Sequence, residues 1–258
     1  MGRKRSEQRF QALIVAATKV FLAQGYRRAQ IADIAQTMGV AKGTVYLYVE
    51  SKEALFDLVL RHGDVLFPSG KPGSDSDVPH PILTLPATLP VPTPDSASTL
   101  QFVAEKLIEA DPVPLLSQAL SQDSPPSVSA ELEGILRQLY RKMYRHRVSM
   151  KLIDRCAREY PELAAVFFRA GRTTVMQSLV QYLGSRIRHG YFRPVPDRAI
   201  AARMILENLT YWAIHRHWDP APYPMDDRTV EDTLITLLMT MLLQEAHHDF
   251  AQTRPALN

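Results

Sequence analysis

With 258 residues and 46% apolar side chains, the chain has room for one large domain or two small ones, and its composition excludes a mainly disordered protein. The net charge of +3 hides an asymmetry: residues 1–49 hold eight Lys or Arg against Glu7 and Asp33, a local +6, so the remainder sums to −3. A basic end of this kind is the electrostatic footprint of a nucleic-acid reader. Cys156 is the only cysteine, which excludes an internal disulfide framework and a multi-thiol metal site.

The basic MGRKR leads into an amphipathic pattern rather than an unbroken apolar core, so it does not read as a signal peptide. The most apolar run, Leu234 to Leu243, is too short to span a bilayer. The expectation is a cytoplasmic protein with no membrane partner.

In chain order, Gly2 to Arg9 forms a basic, polar arm, mobile at its tip. Phe10, Leu13, Ile14, Ala17 and Phe21 repeat with helical spacing, and Gly25 ends that helix. Ile31, Ile34, Ala35 and Met38 line one face of a second helix, closed by Gly39 with Val40 as a buried contact beyond it. A third helix follows from Lys42 to Val49. Its Val45 and Val49 face inward, while Lys42, Gly43, Thr44, Tyr46 and Tyr48 present a basic, small and hydroxyl-bearing surface that suits a major groove. Ser51 is placed to cap a fourth helix, with Glu53 in its positive first turn.

Ala35, Gly39 and Val40, followed by KGTVYLYVESKEALF, resemble the helix-turn-helix of the TetR family of bacterial transcriptional regulators. The family pattern continues into a helix opening with a lysine, matched by Lys52, Leu55 and Phe56, and the resemblance covers the first 67 residues. Gln30 and Ala41 depart from it, standing where Thr and Ser usually cap each helix, and Val49 stands where Phe is commoner. The resemblance implies an all-α fold: a three-helix DNA-binding domain over 1–67, with its helix-turn-helix at 30–49, and a larger helical ligand-binding and dimerisation domain over 97–258. It also implies DNA contact by Lys42, Gly43, Thr44, Tyr46, Tyr48 and Lys52, with Tyr48 and Lys52 toward phosphates and Thr44 near base edges. The function it implies is that of a homodimeric repressor on a near-palindromic double-stranded DNA operator, released by an unknown small-molecule effector, with no cofactor and no enzymatic activity. Three alternatives stay open: a protein partner in place of the small molecule, activation in place of repression, and a helical-bundle enzyme, which the lack of a catalytic constellation disfavours.

Residues 68–96 hold eight prolines in 29 positions, a density that sustains neither a helix nor a central strand. They read as an irregular linker or insertion, flexible and poorly packed, the competing reading being that the apolar PILTLPATLPV lies against the body. From Ala97 the pattern is helical: Leu100 to Leu107 until Asp111 and Pro112, then a short helix over Leu115 to Leu120. Next come a long helix through Leu132, Ile135, Leu139, Leu152 and Cys156, and another opened by Pro161 and ended by Gly190. Asp197 caps the next helix, and the last begins near Asp226 or Asp227.

Asn208, Tyr211, Trp212 and His215 share one stripe of the Asp197 helix; with Tyr144 and Arg172 they are candidates to line an effector pocket, burial in a core or dimer interface being the competing reading. The last helix is apolar nearly all round, which calls for a second subunit as cover. Leu209, Leu234, Leu238, Met241 and Leu242 are accordingly assigned to a two-fold four-helix interface. Glu245 and His248 have metal-site spacing but lack the second Glu-x-x-His that such a site needs, so no metal is expected. No nucleophile elbow or phosphate-binding glycine loop is present.

Overall fold

The computed structural model describes residues 2–66, 83–108 and 113–244. The first half of the proline-rich stretch, the helix stop at Asp111 and Pro112, and the Glu245 and His248 pair lie outside them. Helix α1 spans Gly2–Gln24, so the expected arm is the first turns of the helix; nothing in RKRSEQR breaks one. Helix α2 (Ile31–Met38) closes as its sequence requires: Gly39 adopts φ 67°, and the Val40 N–H reaches back to the Ala35 carbonyl at 3.0 Å. Helix α3 (Lys42–Tyr46) is shorter than the predicted 42–49. Helix α4 (Lys52–Leu66) starts on Ser51, whose Oγ accepts the Ala54 N–H at 3.1 Å.

Helix α5 (Ser96–Val103) begins on Asp95, which accepts the Ala97 N–H, and widens into a π-helical turn over Ala104–Ile108. Helix α6 is Pro114–Leu120. The single long helix predicted through Cys156 is instead α7 (Val128–Arg145) and α8 (Arg147–Cys156), broken at His146. The break has a local cause, because Asp64 accepts the Val148 and Ser149 N–H groups at 2.9 and 3.0 Å, donors that a continuous helix would have satisfied internally. The helix predicted from Pro161 to Gly190 contains α9 (Pro161–Ala164), a π-helical stretch over Ala165–Arg172, and α10 (Thr173–Arg188), with Gly190 at φ 74° beyond it. Helices α11 (Arg198–Ala213) and α12 (Asp227–Leu242) open on the carboxylates of Asp197 and Asp226, and a 3-10 turn at His215–Trp218 follows α11. Among the described residues the only extended pairings are two isolated bridges.

Contact density divides the chain into two compact units, residues 1–110 with 143–172 and residues 111–142 with 173–258. The cut differs from the sequence division at 67 and 97. Leu152, Ile153, Cys156 and Leu163 share one buried core with Phe10, Leu13, Ile34, Val45 and Leu55, so α8 and α9 are needed to cover α1 and α4. Cys156 lies fully inside this core, and burial pushes its thiol up to about 12, which leaves it unreactive. The carboxylate of Asp64 also belongs here, accepting the Ser149 hydroxyl at 2.6 Å and pairing with Lys106 at 3.1 Å. Burial alone would raise the Asp64 pKa; the contact with His146, the Lys106 ammonium and the Ser149 donors outweigh it and hold the carboxyl at about 2.

The described half of the proline-rich segment, from residue 83, is docked on the first unit. Leu83, Leu85 and Val91 pack on its core. The Val91 N–H donates to the Tyr48 carbonyl at 2.8 Å, and the Glu50 N–H donates to the Val91 carbonyl at 3.0 Å. Thr93 adds an N–H to the Glu50 carboxylate and a hydroxyl to Ser51. Proline density excludes a central strand but leaves Val91 free to pair, since its own N–H is intact.

In the second unit the guanidinium of Arg186 is completely buried. Its Nε and Nη2 each donate to Glu131 at 2.8 Å, Nη2 also reaches the Ala119 carbonyl, and the Tyr182 hydroxyl donates to the same carboxylate. Three helices, α6, α7 and α10, are thereby joined at one buried, hydrogen-bonded charge. Arg137 on α7 pairs with Glu231 and Asp232 on α12. Phe192 bridges to Leu243 just beyond α12.

Candidate nucleic-acid interface

Phe10, Leu13, Ile14, Ala17 and Phe21 of α1 are buried against α2 and α4, the apolar platform on which α3 sits. Val45 and Val49 anchor α3 into it as predicted. Lys42, Gly43 and Tyr46 face solvent, Thr44 is half-buried, and the Lys42 ammonium lies 5.9 Å over the Tyr46 ring. Nothing stands within 4 Å of where a Gly43 Cβ would be, so the backbone is open to close approach there.

Two of the six predicted DNA contacts are placed differently. Tyr48, only 7% exposed, lies inward: its N–H and that of Val49 still reach the Val45 carbonyl at 3.0 and 3.2 Å, which sets it on the buried side with Val45, and its ring lies 6.2 Å from Phe10. Lys52 directs its ammonium to the carbonyls of Tyr26, Arg27 and Ala29 at 2.9, 3.4 and 3.3 Å, and sits 4.6 Å from the Tyr26 ring. It is a clip for the α1–α2 loop. Glu159 holds the other side of that loop, accepting the Arg27 N–H at 2.7 Å, while Arg155 donates to the Ala23 carbonyl. Neither Glu159 nor Arg155 is marked in the sequence, because their partners are backbone groups far along the chain.

The clip has a testable consequence. Replacing Lys52 with Met orphans loop carbonyls and lowers stability by roughly 1–3 kcal/mol. The salt dependence of DNA binding stays unchanged, its slope moving by less than the roughly 0.9 that one phosphate contact contributes. Thermal melts and a salt titration read both quantities; a slope reduced by about 0.9 with an unaltered melt would return Lys52 to the phosphate backbone.

A helix-turn-helix with an open, basic second helix is the arrangement that docks in a major groove, and residues 13–59, from within α1 to within α4, match the family described as bacterial regulatory proteins, tetR family. That match covers the helix-turn-helix unit, and the helices beyond residue 59 lie outside it. A curated relative, the fatty acid metabolism regulator protein of Bacillus subtilis (strain 168), is 40% identical over 50 residues, which are 19% of this chain and 26% of the relative. The chain therefore matches about a quarter of that relative's length. Among solved structures, the ketosteroid transcriptional regulator KstR2 of Mycobacterium tuberculosis aligns over 92% of this chain and 96% of its own, with a TM-score of 0.53 and 18% identity, a likeness of fold. The regulator FadR from Bacillus subtilis in complex with stearoyl-CoA aligns over 90% of this chain and 98% of its own, with a TM-score of 0.40 and 14% identity.

The six effector-pocket candidates are divided between the two compact units. Tyr144 and Arg172 belong to the first compact unit, and Asn208, Tyr211, Trp212 and His215 to the second. Asn208 donates to the Met204 carbonyl, the Tyr211 hydroxyl donates to Asp219, and Trp212 and His215 are half-buried. Asn208 alone of these lines the apolar groove of about 260 Å³ between α11 and α12, beside Ile200, Met204, Leu238 and Met241. Of the five dimer candidates, Leu209, Leu234, Leu238 and Leu242 are buried within their own unit, and Met241 is 56% exposed. Other apolar side chains exposed on these helices are Ile200 at 62%, Met204 at 51% and Leu237 at 58%. Spacing of four residues places Ile200 with Met204 and Leu237 with Met241, each pair on one line of its helix.

Proposed function

We propose that the chain is a transcriptional regulator, a homodimer which represses by occupying a near-palindromic duplex operator, and that a small-molecule effector held by the C-terminal helices releases it. The observation that carries the reading is α3 itself, whose Lys42, Gly43 and Tyr46 face solvent while Val45 and Val49 fix it to the core, inside a segment of local charge +6. Dimerisation is supported by the exposed apolar lines of α11 and α12, which form a contiguous apolar surface around a groove. Two-fold symmetry then presents α3 twice, to half-sites about one DNA turn apart or slightly more.

Release is supported by the first unit's internal wiring. The contacts of Arg155 and Glu159 tie the end of α8 to the α1–α2 loop, and the two π-helical stretches, a geometry frequent at functional sites, pack on each other behind it. A ligand with different affinities for two arrangements of these elements shifts DNA affinity by that difference. Among the described residues no helix is long and apolar enough to cross a membrane, in keeping with a regulator that meets DNA in the cytoplasm. The test is selection from random 30-base-pair duplexes by the full chain at physiological salt. A near-palindrome is the expected product, and retention of all sequences alike would overturn the reading.

A further inference from the structure

We propose that Leu47 is a base-reading residue that recognises the C5-methyl group of a thymine in the major groove. The inference rests on α3 being the recognition helix and names what one of its positions reads. Leu47 is 67% exposed, whereas Leu13, Leu55, Leu58 and Leu60 in the same unit are buried. It stands at the exit of α3, where Tyr46 is half out in solvent and Tyr48 has turned inward toward Phe10.

The surface of α3 is divided into two lines. Lys42 and Tyr46, four residues apart, form one, with the lysine ammonium over the ring. Gly43 and Leu47 form the other. At Gly43 the helix presents bare backbone with open space beside it, so along this line Leu47 is a lone apolar projection next to a low place. A duplex brought up by the local +6 can approach closely there.

What such a projection meets is limited by the chemistry of the groove. Base edges in the major groove are donors and acceptors, and the single apolar group among them is the thymine methyl. Phosphates offer a leucine nothing. A leucine buried on a thymine methyl removes both from water without leaving a polar edge unpaired, whereas the same leucine over guanine or adenine N7 would mask an acceptor. The position therefore selects thymine by apolar contact and disfavours purines.

The test uses the full chain and a duplex recovered by the random-sequence selection. Each thymine is replaced in turn by deoxyuridine, which deletes the methyl group and nothing else. The wild-type chain should bind about fourfold more weakly when one such position is changed in one half-site, the factor that one buried methyl is worth, and about sixteenfold when both are changed. Leu47→Ala, which removes the contact from both half-sites, should lose about sixteenfold on the thymine duplex and be indifferent to uracil at that position, and Leu47→Met should keep the discrimination. Because Leu47 is exposed, its melting temperature and the salt slope of binding should stay at the wild-type values. A recovered duplex in which no thymine responds, or in which Leu47→Ala responds as the wild type does, overturns the assignment while leaving the recognition helix in place. A selection that recovers no duplex at all fails at the earlier step, the reading of α3.

Discussion

Replacing Leu237 and Met241 together by arginine should leave a folded monomer whose affinity for the selected duplex has fallen by at least about a hundredfold. Both side chains are more than half exposed in the isolated chain, so the substitution disturbs no core contact, and exposed changes of this kind normally alter stability by no more than about 0.5 kcal/mol. Across a two-fold axis the effect is multiplied, since each copy contributes two arginines and four like charges meet on one apolar surface. Losing the dimer removes the linkage between two recognition helices, and that avidity is worth about 10²–10⁴ in affinity. Light scattering reads the mass, circular dichroism the fold, and fluorescence anisotropy the binding. A double variant that stays dimeric and binds normally would place the interface elsewhere. Leu238→Arg is a poorer probe, because Leu238 is buried within its own unit and a charge there would unfold it.

Arg186→Met should cost about 3–5 kcal/mol of stability, the range found when one partner of a buried ion pair is removed. The Glu131 carboxylate would keep only the Tyr182 hydroxyl, and the Ala119 carbonyl would lose its donor from Arg186. At roughly 2–4 °C per kcal/mol for a domain of this size, the melting temperature should fall by on the order of 10 °C. Combining the change with Glu131→Leu should recover most of the loss, because an apolar pair of similar volume no longer strands a charge. A single variant that melts within a degree or two of the wild type would mean that water reaches Glu131 readily. A double variant no better than the single would mean that geometry, and not charge, is what the site supplies.

The amino-acid sequence by itself determined the helices, their caps and the reading motif. Apolar spacing, Ser51, Asp197 and Asp226 at helix starts, and Gly39 and Gly190 at helix ends all act within a few residues of their own position, and each did in the structure what its chemistry requires. The outward Lys42, Gly43 and Tyr46 and inward Val45 and Val49 were legible for the same reason, as neighbours on one short helix and the turn that follows it. Tertiary structure decided the rest wherever the partner is distant in the chain. The Tyr48 ring meets Phe10 of α1, and Lys52 becomes a loop clip because carbonyls about 25 residues earlier converge on its ammonium. A proline-rich segment docks because Val91 finds the free backbone groups of Tyr48 and Glu50. The break at His146 exists because a carboxylate 84 residues away caps the helix that follows. On α12 periodicity marks apolar residues on nearly every face, but only packing against the rest of its own unit separates the buried Leu234, Leu238 and Leu242 from the exposed Leu237 and Met241. Side chains on a wholly apolar helix have equal cause to be buried, and which of them are covered is settled by the neighbours that the fold supplies.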